Sequence, residues 1–406
     1  MHTETAFVLT LLVLGYAVVS GLVRRRYLAP ALIFAAFGVV LGPAWLDLIE
    51  VPNADATSFT VLAQLALTVI LFNQAARLNM RAIRGRLTLR LLAIGIPVTV
   101  VLGTLIAVLL LPKLPLWEAV CLAIVVAPTE VALIEAVLED RRLDERVRHA
   151  LSAESGFYDG FALAALLAAL AVASEQRHPE PVRWAWFALR TEFVSVALGG
   201  VIGVVGTAVI VRSRRRGWMS DTWAQLATLA LALACFWAGE ESHASGFVAA
   251  FAGGLAYAGI SSWVSSWASS GDSSMATQVS DAVGELLELL VFAMFGGFAV
   301  IQVWRDVGWR VVVFGVLVLF AVRVVAVLVA MVRSGLPLSS TLFMGCFGPR
   351  GIGTLVLGLL VIGKGEIGQG PLITQAVVVT VTLSLVLHSL TAPFLVRLGA
   401  RTTPRQ

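Results

Sequence analysis

Apolar stretches of about 20 residues, each long enough to cross a bilayer, recur from one end of the 406-residue chain to the other. Hydrocarbon offers nothing to an unpaired peptide group, so only helices and closed barrels can span it. A barrel would read as shorter segments of alternating polarity. The sequence therefore predicts an all-α polytopic membrane protein. Composition agrees, with 59% hydrophobic and 13% charged residues, far from the balance of a soluble domain. Thirteen transmembrane helices are expected, at about 5–23, 28–46, 58–76, 89–111, 116–138, 148–173, 186–211, 221–239, 243–260, 281–303, 310–332, 338–362 and 372–396. The first lacks a basic n-region and a small-residue cleavage site, and reads as a retained helix. Cys121, Cys235 and Cys346 lie inside apolar segments without metal or disulfide spacing, as small buried hydrophobes do.

Basic residues set the orientation. Arg24, Arg25 and Arg26 follow span 1; Arg77, Arg81, Arg84 and Arg86 follow span 3; Arg141, Arg142, Arg146 and Arg148 follow span 5. Arg212, Arg214, Arg215 and Arg216 follow span 7, Arg333 follows span 11, and Arg397, Arg401 and Arg405 close the chain. Loops after even-numbered spans carry only Lys113, Arg177, Arg183, Arg305 and Lys364. The positive-inside rule places the N-terminus outside and the C-terminus in the cytosol of a plasma (inner) membrane.

Residues 1–406 read as one transmembrane domain with no soluble regulatory module. The Ser/Gly-rich "SSWVSSWASSGDSS", 261–274, reads as a flexible connection. Two inverted repeats are expected, at about 5–173 and 221–396, with 186–211 as the linker helix. The fifth span of each half then holds a proline and a charge near its middle: "APTE" at 127–130 and "GPRG" at 348–351. Interrupted segments at corresponding positions point to a transporter's binding site. "GGVIG", 199–203, is a GxxxG pattern that suggests close helix packing, a dimer contact included.

A charge at mid-membrane costs roughly 2.5–3.5 kcal/mol on insertion scales. Span 6 nevertheless carries two, in "SAESGFYDGFAL", 152–163. On a helix Ser155 and Asp159 share one face, Glu154 and Tyr158 the next. A hydroxyl and a carboxylate together can replace the water shell of a small hard cation; the competing reading makes Asp159 a helix–helix hydrogen-bonding group. Glu154 suits a buried ion pair, for which the mid-span Arg350 is the expected partner. In span 5, Pro128 frees carbonyls upstream. Those carbonyls and Thr129 can bind an ion, and Glu130 can offset the dipole end of a half-helix; an ordinary proline kink is the plainer alternative. Asn73 and Gln74 either line a vestibule or mark a helix leaving the bilayer. Asp281, Glu285 and Glu288 read as entrance or interhelical groups, one of them a candidate partner for Arg323. His388 reads as an interhelical hydrogen-bonding group.

Four stretches resemble the monovalent cation/proton antiporter family, on the branch that includes bacterial sodium/proton exchangers: "LAPALIFAAFGVVLGP", "VRHALSAESGFYDGFAL", "ESHASGFVAAFAGGLAYA" and, most specific, "GCFGPRGIGTLVLGLL". The resemblance implies a homodimer whose core domain moves against a dimerisation domain, with crossed, interrupted helices 5 and 12. It sets Asp159 on the family's ion- and proton-binding aspartate, Ser155 and Thr129 on supporting ligands, and Glu154 and Arg350 on a buried ion pair. Three positions depart from the family pattern: Tyr158 where an Asn or Asp precedes the aspartate, Glu130 where Asp follows the threonine, and Asn73 where many members have an acid.

The mechanism implied is alternating access with competition between a proton and a monovalent cation at Asp159, sodium first, with lithium or potassium as alternatives. With Tyr158 in place of a second carboxylate, and no lysine in span 10, exchange is expected to be electroneutral. A non-exchanging sensor or scaffold, and a proton-coupled exporter of an organic solute, are the competing classes. No HExxH, GxSxG or P-loop points to an enzyme. No cofactor is called for, and the partners are the cation, the proton, the bilayer and a second copy, with no nucleic acid.

Overall fold

Every regular element among the described residues is a helix. The structure is a computed structural model and describes residues 3–25, 28–43, 45–48, 56–78, 85–130, 133, 143–175, 181–265, 277–363 and 367–400. The helices are α1 (Thr3–Arg25), α2 (Pro30–Leu41), α3 (Ala56–Arg77), α4 (Arg86–Leu110), α5 (Leu116–Val126), α6 (Glu145–Glu175) and α7 (Pro181–Arg215). There follow α8 (Asp221–Glu241), α9 (Gly246–Ser265), α10 (Gln278–Asp306), α11 (Trp309–Met331), α12 (Leu338–Cys346), α13 (Ile352–Gly363) and α14 (Gly370–Ala400). Nine described helices are long and apolar enough to span a membrane, and four shorter ones are apolar. They fall on the thirteen expected stretches. The twelfth of these is divided between α12 and α13.

The chain forms two compact units. The first comprises Met1–Val61, Arg84–Tyr158 and Leu289–Gln406. Within it α4 packs on α5 and α11, and α14 packs on α5, α11, α12 and α13. Glycine lets α2 approach α10 backbone to backbone: a Cβ on Gly38 would lie 1.9 Å from the Ala293 carbonyl oxygen. An apolar cluster of Leu91, Val147, Leu151, Val327, Phe343 and Phe347 anchors the first turns of α6 to α4, α11 and α12. Helices α4, α10 and α11 each contain a widened π turn, at Leu91–Gly95, Gly296–Val300 and Leu317–Val322. Such a turn rotates the rest of its helix out of phase with the part before it, and the third ends immediately before Arg323.

The second unit comprises Leu62–Ile83 and Asp159–Glu288. Its centre is the mutual packing of α7, α8 and α9. Cβ atoms on Gly199 and Gly203 would lie 2.0 Å from the Ala249 carbonyl oxygen and 2.6 Å from that of Gly253. The GxxxG pattern thus packs closely within the chain, against α9. Its two glycines are one helical turn apart, which brings both to the same neighbour. Of the Ser/Gly-rich 261–274, residues 261–265 form the end of α9 and the remainder lies outside the described residues.

Candidate functional site

Two helices stop in the interior of the first unit, each one residue or more ahead of a proline. Helix α5 ends at Val126, and Ala127, Pro128, Thr129 and Glu130 run on buried and non-helical. Helix α12 ends at Cys346, and residues 347–351 do the same before α13 begins. Proline lacks an amide hydrogen and disfavours helix in the residue before it. Each break thus strands backbone groups away from water, where they need partners.

The breaks supply one another. The Glu130 amide donates to the Pro349 carbonyl at 2.8 Å. The Arg350 guanidinium donates through Nη1 to the carbonyls of Ala127 and Pro128, the latter at 2.8 Å. The Arg350 amide donates to Ser384 Oγ of α14 at 2.6 Å. Arg350 is fully buried. Its charge sits at the carbonyl end of α5, where a cation offsets the helix dipole. Glu130 makes the converse contact: its side chain runs over Gly351, where a Cβ would be 2.6 Å from Glu130 Cγ. A carboxylate is thereby brought to the N-terminal end of α13, the end that favours negative charge. Each break carries the charged side chain that suits the other's helix terminus.

Helix α6 runs beside the first break. Ser155, wholly buried, donates to the Thr129 carbonyl at 2.6 Å. Tyr158 is buried against Ile96 of α4 and Ala127, with Leu92 and Val100 at its edge. Asp159 belongs to α6, and its side chain lies outside the described residues. Thr129 and Glu130 are both buried. The carbonyls of Ala127, Pro128 and Thr129 each accept from a protein donor.

The expected Glu154–Arg350 pair is replaced by another. Glu154 is held by Arg323 of α11, Nη1 to Oε1 at 2.5 Å and Nη2 to Oε2 at 2.7 Å. A fork of two parallel bonds suits a guanidinium and a carboxylate, while Arg350 spends its charge on peptide carbonyls. Arg323 was expected to meet an acid of span 10. Of those, Asp281 pairs with Arg77 in the second unit. The π turn ahead of Arg323 changes its phase, a detail that hydropathy does not report. Asn73 lies in the second unit, buried, and its Oδ1 accepts from Ser280 Oγ at 2.8 Å.

Three further polar side chains escaped the sequence reading. Ser384 receives the Arg350 amide. Glu118 of α5 accepts from the amides of Gly368 at 2.8 Å and Gln369 at 3.0 Å, just ahead of α14. Arg90 of α4 donates from Nε to the Ala330 carbonyl at 2.6 Å, at the end of α11. Both charged groups sit where they complement a helix terminus, a signal visible in sequence only once the neighbouring helix is known. His388, expected to bond another helix, places Nδ1 3.0 Å from the Ser384 carbonyl of its own helix and also meets the Cys346 backbone at the end of α12. It stacks on Phe320 with ring centroids 5.8 Å apart.

Comparison with known proteins places these features in context. The family described as "Sodium/hydrogen exchanger, transmembrane" matches residues 8–398. A probable Na(+)/H(+) antiporter of Schizosaccharomyces pombe is 27% identical over 84% of this chain and 48% of its own length. A sodium, potassium, lithium and rubidium/H(+) antiporter of Bacillus subtilis is 26% identical over 62% of this chain and 37% of its own length. The chain thus spans about half or less of these curated relatives. Among solved structures, the sodium proton antiporter MjNhaP1 of Methanocaldococcus jannaschii at pH 8 superposes with a TM-score of 0.74 at 17% identity, covering 95% of this chain and 98% of that one. A second MjNhaP1 structure, from electron microscopy, superposes with a TM-score of 0.78 over the whole of both chains, also at 17% identity. These two likenesses establish the fold.

Proposed function

Since the chain belongs to the sodium/hydrogen exchanger family, we propose that it is a secondary active antiporter, exchanging a monovalent cation for protons by alternating access. The observation that carries this reading is the buried break at 127–130, stapled by Ser155 and closed by Arg350. It brings the Thr129 hydroxyl and the Glu130 carboxylate beside α6 on buried, non-helical backbone, the arrangement of a mid-membrane ion site.

In this reading Asp159, four residues beyond Ser155 on α6, takes either a proton or a cation. Ser155 and Thr129 supply hydroxyls, Glu130 a second carboxylate, and Tyr158 a wall. Asn73 is assigned to the ion path on family resemblance. Glu154 serves as structure, through its pair with Arg323. Competition for one carboxylate couples the two fluxes without a further device. A carboxyl that is desolvated without its cation binds a proton more readily, which is what exchange at a single site requires.

Sodium is the first cation to test, since the yeast relative and MjNhaP1 are both named for it. Potassium, lithium and rubidium belong in the same test, on the name of the Bacillus relative. With tyrosine at 158, one cation for one proton is the proposed stoichiometry. We place the protein in the plasma (inner) membrane as a homodimer, N-terminus outside and C-terminus cytosolic, its halves related as inverted repeats.

The test is proton flux in proteoliposomes under an imposed pH gradient, adding each cation in turn. Gradient collapse that needs a cation and is lost in Asp159→Asn supports the proposal. Exchange at the normal rate in Asp159→Asn would remove the single-carboxylate mechanism. Folded protein that responds to no cation would turn the reading toward a sensor or an exporter of organic solutes.

A further inference from the structure

The turn between α7 and α8 carries a feature that cation exchange does not use. Four of the five residues 212–216 are arginine. The helix closes there on a fixed turn: the Gly217 amide bonds the Arg214 carbonyl at 2.9 Å and the Trp218 amide bonds the Ser213 carbonyl at 3.0 Å. Gly217 has φ +68°, the left-handed conformation that this closure needs and glycine adopts freely. Arg214 then clasps the start of α8, Nη2 to Asp221 Oδ1 at 3.0 Å. One arginine is therefore structural. Arg212, Arg215 and Arg216 are exposed and lie at i, i+3 and i+4, on one helix face.

Two large rings accompany them. Trp218 is 71% exposed and Trp223 67%. The Arg216 guanidinium lies 4.7 Å from the Trp218 ring centroid, close enough for a cation–π contact that fixes its plane. The apolar span of α7 ends at Arg215 and that of α8 begins at Asp221, so the turn stands at the membrane boundary. Exposed tryptophan and arginine at that depth meet phospholipid headgroups. A guanidinium fork matches phosphate oxygens in both charge and geometry.

The positive-inside rule accounts for the charges but not for a rigid turn, a shared face or an arginine seated on an exposed ring. We propose that Arg212, Arg215 and Arg216, with Trp218, form a binding site for the phosphodiester headgroup of an anionic phospholipid in the leaflet this turn faces.

The experiment uses the full chain in detergent micelles of constant composition, titrated with phosphatidylglycerol, with cardiolipin or with phosphatidylcholine. Bound lipid is read by native mass spectrometry and the unfolding midpoint is followed in parallel. The proposal expects both anionic lipids to bind and raise the midpoint, and phosphatidylcholine to do neither. The triple variant Arg212→Gln/Arg215→Gln/Arg216→Gln should lose about a hundredfold in apparent affinity, from three arginines at a surface. Its midpoint without anionic lipid should equal that of wild type, which separates lost binding from lost folding. As a control, Arg24→Gln/Arg25→Gln/Arg26→Gln should keep the response. Equal loss in both triple variants, equal binding of phosphatidylcholine, or the same midpoint shift from inorganic phosphate alone would each overturn it.

Discussion

Two arginines are buried among the described residues of the first unit, at 3% exposure for Arg323 and 0% for Arg350, and each is accommodated differently. Arg323 meets a full opposite charge, with both its terminal nitrogens on Glu154. Arg350 meets peptide dipoles, two carbonyls at the end of α5, and its Nε and Nη2 have no partner among the described residues. The first is a closed ion pair of the kind that holds two helices in register. The second is a positive charge held by a discontinuity in the backbone, so it depends on the break remaining where it is. The same residue type, equally deprived of water, closes an ion pair between helices in one place and a backbone break in the other.

Removing the partner of each arginine tests that difference. Glu154→Gln leaves Arg323 charged and alone, and the loss should be about 3–5 kcal/mol, the largest stability effect expected here. It is measured as the unfolding midpoint in detergent against wild type. The double variant Glu154→Gln/Arg323→Met should recover most of the loss, because the stranded charge has gone. If it recovers nothing, the two residues do not act as a pair. Arg350→Met strands dipoles instead of a charge, and should cost less, about 2 kcal/mol. It should abolish cation-dependent proton flux all the same, because the carbonyls that hold the break open lose their donor. An Arg350→Met protein that exchanges normally would separate Arg350 from the site.

The contrast also marks where sequence reading stops. The spans, the two breaks and the need of each buried charge for a partner are all local: they derive from hydropathy, from Pro128 and Pro349, and from the cost of a charge in hydrocarbon. Which arginine meets Glu154 is not local. It depends on the π turn at Leu317–Val322, which re-aims Arg323. It depends equally on two chain breaks lying side by side, which gives Arg350 carbonyls to bond. The same limit hid Glu118 and Ser384, whose partners are supplied by neighbouring segments of the fold. The reciprocal placement of Glu130 and Arg350 requires both breaks at once, and neither stretch of sequence announces the other. Gly351→Ala probes it: the new methyl would meet Glu130 at Cγ, 2.6 Å away. Displacing that side chain from the end of α13 should cost about 1–2 kcal/mol, less than losing Arg350, with the unfolding midpoint again the measure. A neutral outcome would mean that Glu130 can leave α13 without loss.

The smallest effect lies ten residues before Glu154, at the entrance of the same helix. There Asp144 accepts from Arg146, Nη2 to Oδ2 at 2.9 Å and the amide to Oδ1 at 2.8 Å. Chemically this is the Glu154–Arg323 pair again, but the arginine side chain is 70% exposed. The Arg146 hydrogen bond holds the Asp144 carboxyl below the ordinary aspartate range, partial burial opposing it. With the folded pKa depressed, the stabilisation is fully present above the unfolded value and fades as pH falls through the folded one. Asp144→Asn removes the charge yet keeps a side chain that caps a helix well, so it isolates the ion pair, which should be worth under about 1 kcal/mol. At about 1 M salt the screening length shrinks to about 3 Å, and the difference between wild type and Asp144→Asn should vanish. The Glu154→Gln loss should persist under the same salt, because no ions reach that pair. If salt erases both differences, Glu154 and Arg323 are hydrated after all, and the contrast between a buried pair and an open one fails at its stronger end.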